Sequence, residues 1–132
     1  GGHHLDAMFI PCSRGQSLGE TQDLETSTSK KIQAESFVNA PTLIWCNPNA
    51  AYYETMVYQA PVLNFWLSRG CNIFFFNYAG YGRSSGKPSP SRVTEDGEAV
   101  VNFLKSRGVT QMGIYGRSIG GITSCHLARR FP

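Results

Sequence analysis

Gly116-Arg117-Ser118-Ile119-Gly120 sets a serine between two glycines in the pattern G-x-S-x-G, and Gly121 extends it. A serine hydroxyl attacks acyl carbonyls only when a base takes its proton and donors stand ready for the charge that develops on oxygen. The pattern alone is weak support, but its setting strengthens it. Met112-Gly113-Ile114-Tyr115 reads as a short strand before it, and Gly120 to Phe131 reads as a helix after it, with Gly121, Cys125 and Ala128 on one face. A chain reversing that tightly needs glycine two residues to either side of the serine. Such an elbow lifts the Ser118 Oγ clear of the sheet and holds the Ile119 N–H at a helix N-terminus, where an oxyanion is favoured. The bland alternative is an ordinary glycine-rich turn.

Acyl transfer needs a second backbone donor, and Cys46-Asn47-Pro48-Asn49-Ala50 stands where it would arise, after another strand signal. Asn49 is the candidate. An Asn-Pro turn that merely starts the next helix is the competing role. Tyr52, Tyr53, Met56, Val57 and Tyr58 follow closely. They either line an acyl pocket that favours apolar chains or pack beneath the next helix.

Three apolar runs, each followed by turn residues, carry this chemistry: Thr42–Cys46, Asn72–Tyr78 and Met112–Tyr115. Continuous apolar runs suit strands covered on both faces, as in a parallel sheet. Helical patterns lie between them. Pro61 to Arg69 carries Leu63, Trp66 and Leu67 at helical spacing, with Gly70 just beyond. Thr94 is a plausible N-cap for a helix with Gly97, Val100, Val101 and Leu104 inward, ending at Gly108. Strand and helix alternate as in an α/β domain. Upstream, Asp6 to Cys12 fits a short strand that Pro11 confines to an edge or an end. The stretch from Ser13 to Asn39 is polar and reads mainly as loop, with one short strand near Ile32 to Val38.

With 132 residues there is room for one domain. Only 16% of residues are charged, 14 are glycine, and the net charge is +3 without a basic stripe, so nucleic acid is not an expected partner. No apolar stretch approaches the ~18 residues of a membrane span. Cys12, Cys46, Cys71 and Cys125 show no C-x-x-C pairing and no histidine at ligand spacing. No metal or cofactor is expected, and reduced thiols favour a cytoplasmic setting.

Asn77-Tyr78-Ala79-Gly80-Tyr81-Gly82-Arg83-Ser84-Ser85-Gly86-Lys87-Pro88-Ser89, followed by Asp96 and then Gly116 to Gly121, resembles the signature series of α/β-hydrolase fold serine hydrolases. The series is most similar to the FAM108-type depalmitoylase and Bem46-like group. The resemblance runs from Thr42 to Pro132. It implies a three-layer α/β sandwich with a mostly parallel sheet, present here as its N-terminal half. Residues 1–40 would supply a strand and a polar loop, and 41–132 the βαβαβα core. It further implies Ser118 as nucleophile, Ile119 and Asn49 as oxyanion donors, Gly116 and Gly120 as elbow glycines, and an ester or thioester substrate that is small, lipid-like or an acylated protein. The chain departs from the group at Asn47-Pro48, where His-Gly is usual, and at Asn77, where an acidic residue is frequent. Asn77 is expected to make a polar strand end without catalytic consequence.

A serine triad needs a histidine and an acid, and in this fold both follow the nucleophile. His126 lies eight residues on, about 12 Å along a helix, too far to serve. His3 and His4 precede the serine, against fold order. Both partners are therefore expected beyond Pro132, and the 132 residues alone should be inactive. A non-catalytic binding or scaffold role is the alternative. Gly80-x-Gly82 also suggests dinucleotide binding, but the third glycine is Ser85, and Lys87-Pro88-Ser89-Pro90 is expected to prevent a helix from starting there.

Overall fold

The computed structural model describes residues 3–12 and 39–132. The polar stretch 13–38, with the strand expected near Ile32 to Val38, lies outside the described residues. The apolar runs form strands β2 (Thr42–Cys46), β3 (Asn72–Phe76) and β4 (Met112–Gly116). They are parallel, with β2 between β3 and β4, and β1 (Ala7–Ile10) adds an antiparallel edge to β3. Pro11 follows directly after β1, so its missing N–H falls outside the ladder.

Alternation along β2 and β3 builds two cores. Leu43, Trp45, Ile73 and Phe75 face α1 (Ala60–Ser68), where Val62, Leu63, Trp66 and Leu67 cover them. Ile44, Cys46, Phe74 and Phe76 face the other way, against Val93, Val100, Val101 and Leu104 of α2 (Pro90–Ser106) and Leu127 of α3 (Ile119–Arg130). Helices on both faces of a mostly parallel sheet make the three-layer sandwich that the sequence implies. Every residue of β2 and β3 is buried, and this is why both read as unbroken apolar runs.

Two helices differ from expectation. The N-cap of α2 is Ser89, not Thr94: its Oγ accepts the Arg92 N–H at 3.2 Å. Pro90 opens the helix instead of preventing it, because a first-turn N–H has no intrahelical acceptor to lose. Thr94 spends its hydroxyl on the Ser91 carbonyl. In α3 the buried face is Gly120, Thr123 and Leu127, while Cys125 and Ala128 are exposed. The reason lies at both ends of the packing. Gly120 abuts the backbone of β2, and Gly97 of α2 leaves room for the side chains of Thr123 and Leu127, so the inward face is rotated by one residue.

Asp96, buried in α2, accepts the Ala79 N–H at 2.7 Å and so anchors the loop that follows β3. Burial raises its pKa above 3.8, against the lowering effects of that hydrogen bond and of Arg92. The folded state therefore holds this proton more tightly than the unfolded chain does. Its contribution to stability is full at low pH and is lost as pH rises from about 4 through the raised value. Asp96→Asn keeps an acceptor without the charge, so urea melts should show a smaller decline over that window. Asp96→Ala orphans the Ala79 N–H and should cost about 1–3 kcal/mol at neutral pH.

Candidate active site

Ser118 sits between the end of β4 and the start of α3 with φ 58° and ψ −123°. Among the described residues, Ala50 (φ 57°) is the other non-glycine residue with positive φ. Such backbone costs on the order of 1–3 kcal/mol and persists only where its surroundings enforce it. Here the enforcement is visible. A Cβ on Gly116 would overlap the Gly120 carbonyl, and one on Gly120 would overlap the Cys46 carbonyl and come within 2.9 Å of the Asn47 carbonyl. The elbow is thus closed on itself and wedged against the end of β2. The Gly120 and Gly121 N–H groups turn back to the Arg117 and Ser118 carbonyls. The Ile119 amide belongs to the first turn, where N–H groups have no intrahelical acceptor.

Ser118 is exposed and opens into a cleft of about 420 Å³ that Asn49 also lines. Asn49 and Ile119 together line an adjoining cleft of about 330 Å³. The two donor candidates and the serine, nearly seventy residues apart in sequence, converge because β2 and β4 are parallel neighbours paired Cys46 to Gly116. Their loops leave the sheet at the same end, where sites of α/β folds form. The Asn49 Oδ1 accepts a hydrogen bond from the Tyr81 hydroxyl at 2.6 Å, and Tyr81 stacks edge-on against Tyr78. Asn47 is buried: its Nδ2 donates to the Phe76 carbonyl at 3.1 Å, and its Oδ1 has no hydrogen-bond partner among the described residues.

Of the aromatic residues expected either in the pocket or in the core, Tyr53 packs with the α1-side core and donates its hydroxyl to Asp6 at 2.8 Å. Tyr52 is exposed and outside both clefts. The side chains of Met56, Val57 and Tyr58 lie outside the described residues. The cleft beside Ser118 is instead walled by Trp45 and Tyr115, whose rings lie 4.1 Å apart, and by Thr55, Gln59 and Arg117. Position at the C-terminal ends of parallel strands could have singled out Trp45 and Tyr115. Nothing local marks Thr55 or Gln59, because they enter from a 3-10 helix (Tyr53–Gln59) whose start Asn77 sets. Asn77 accepts the Tyr53 N–H at 3.0 Å and donates to Glu54 at 3.0 Å.

No described histidine or carboxylate is hydrogen-bonded to Ser118. His126 pairs with Glu98 at 2.6 Å across α2 and α3. His4 donates its backbone N–H to Ser85, and the His3 ring lies beside Gly86. Cys46, although near the elbow, is no rival nucleophile, since burial pushes its thiol up to about 12.

No family model matches the chain. It is 34% identical over 134 aligned positions to human alpha/beta hydrolase domain-containing protein 17B, covering 86% of this chain and 46% of that protein. It is 30% identical to protein bem46 of Schizosaccharomyces pombe, covering 75% and 33%. Among solved structures, it superposes on Est1E of Butyrivibrio proteoclasticus, solved with ferulic acid bound, with a TM-score of 0.72 at 17% identity, covering 98% of this chain and 45% of that one. An alpha-beta serine hydrolase homologue from Coxiella burnetii gives 0.67 at 17% identity, covering 96% and 52%. The chain spans about half the length of the curated relatives it matches.

Proposed function

We propose that this chain, which has the α/β-hydrolase fold and sequence similarity to the alpha/beta hydrolase domain-containing 17 and Bem46 proteins, carries the nucleophile and oxyanion donors of a serine hydrolase that cleaves acyl esters or thioesters. The observation that carries the proposal is the backbone of Ser118. A non-glycine residue held at φ 58° by two glycines that admit no Cβ is strain retained at the point where an exposed hydroxyl meets a helix N-terminus.

Ser118 Oγ attacks the acyl carbonyl while its proton passes to a histidine, and the carbonyl oxygen becomes an oxyanion facing the Ile119 and Asn49 N–H groups. Collapse breaks the bond to the leaving alcohol or thiol, which departs with that proton, and water then releases the acid from Ser118 by the same steps. In this proposal the histidine and the acid that orients it lie outside these 132 residues, since no described histidine or carboxylate is hydrogen-bonded to Ser118 and His126 is paired with Glu98. The 132 residues alone should therefore show no turnover. The substrate is a small or lipid-like acyl compound or an acylated protein.

A fluorophosphonate probe should label Ser118 in the full-length protein and leave the Ser118→Ala variant unlabelled. Equal labelling of both would refute Ser118 as nucleophile, and failure of both to label would favour a non-catalytic binding role. Tyr81 holds Asn49 at the junction of the clefts, so Tyr81→Phe should lower kcat about tenfold with little change in KM, because the donor loop loses its tether while ground-state contacts remain. A matching rise in KM instead would place Tyr81 in substrate binding.

A further inference from the structure

The two clefts that meet at Asn49 differ in chemistry. The smaller is walled by Tyr81, Pro90, Val93, Ile119 and Ile122, with Asn49 and Ser89 at its polar part, and Ile122 is 62% exposed. The larger, beside Ser118, sets Thr55, Gln59 and Arg117 among the apolar walls of Trp45, Pro48, Ala51 and Tyr115. Among the described residues, Arg117 is its one charged side chain, no carboxylate lines it, and the guanidinium has no ion pair or hydrogen bond. The Thr55 hydroxyl donates to the Tyr52 carbonyl at 2.7 Å, so the guanidinium, with the Gln59 amide in the same cleft, presents the fork that matches a carboxylate. An apolar acyl chain next to that charge would gain nothing from it, whereas the neighbouring cleft offers mostly apolar contact.

We infer that Arg117 selects a substrate whose leaving half carries a carboxylate, seated in the cleft beside Ser118, while the apolar acyl chain lies against Ile122 and Val93. This assignment rests on Ser118 being the nucleophile. It makes the second residue of the G-x-S-x-G a specificity determinant, placed by the same turn that exposes the serine.

The test compares full-length wild type with Arg117→Gln, Arg117→Lys and Arg117→Glu on two butanoate esters, one of 4-hydroxybenzoate and one of its methyl ester. Since the esters differ by one charge, their kcat/KM ratio isolates its recognition. Arg117→Gln should lower the ratio of anionic to neutral ester about fivefold, through KM of the anionic ester. Arg117→Lys should restore part of it, and Arg117→Glu should lower it further. All three variants should still take up the fluorophosphonate label, which reports a folded elbow. An unchanged ratio in labelled variants would overturn the Arg117 assignment alone. So would an effect confined to an anionic acyl group, read with a 4-nitrophenyl hemisuccinate. A wild type that takes no label would refute the nucleophile and this assignment with it.

Discussion

Gly120→Ala is expected to destabilise the protein by about 3 kcal/mol or more, at the upper end of what overpacking costs. The Cβ would overlap the Cys46 carbonyl and press on the Asn47 carbonyl, and these are backbone atoms of a fully buried strand end. They cannot rotate aside as a side chain would. Relief requires α3 to lift from the sheet, which separates Leu127 and Thr123 from α2 and opens the elbow. Gly121 is the internal control: a Cβ there meets nothing within 4 Å. Gly121→Ala should stabilise the helix by about 0.5–1 kcal/mol, since alanine loses less backbone entropy than glycine. Chemical denaturation of the two variants should move the midpoint in opposite directions. Two similar losses would mean that the wedge between α3 and β2 is not what sets the elbow.

Ser118→Ala should lower turnover of the full-length protein by at least about 10⁴-fold, because the proposed acyl intermediate forms on the Ser118 hydroxyl, and among the described residues no other hydroxyl sits at the elbow turn. Its stability should barely change, as alanine inherits the same backbone. Ser118→Gly should be equally inactive yet more stable than Ser118→Ala, by about 1 kcal/mol or more, because glycine takes φ 58° without strain. Glycine also has more freedom to lose from the unfolded chain, which offsets part of the gain. Thermal melts of the two variants therefore measure the strain stored at the elbow separately from the chemistry. Residual activity in Ser118→Ala within tenfold of wild type would eliminate the acyl-enzyme mechanism.

The parallel strands were legible because burial on both faces leaves no polar residue inside Ile73-Phe74-Phe75-Phe76 or Leu43-Ile44-Trp45-Cys46, whereas their order in the sheet came from the structure. The start of α2 was not. Thr94 and Ser89 are both capping residue types, and what selects Ser89 is the loop from Gly80 to Pro88, folded back through hydrogen bonds from Gly80 to Ser85 and from Ser85 to His4. The inward face of α3 was misplaced by one residue because short runs of small side chains carry little periodic signal. Contact with Gly97 and with the β2 backbone decided it.

Sequence alone determined the elbow, since its requirement is local: two glycines flanking a serine, bounded by a strand and a helix, leave the backbone few ways to turn. It also settled the parallel architecture through apolar runs that no solvent-facing strand would tolerate. The tertiary structure decided what surrounds the serine. Trp45, Thr55, Gln59 and Tyr81 reach the site from three separate segments, and they do so only because β2, β3 and β4 are parallel and their loops leave the same end of the sheet. Spacing along the chain carries no record of that convergence, for it arises from hydrogen bonding between strands some thirty to seventy residues apart.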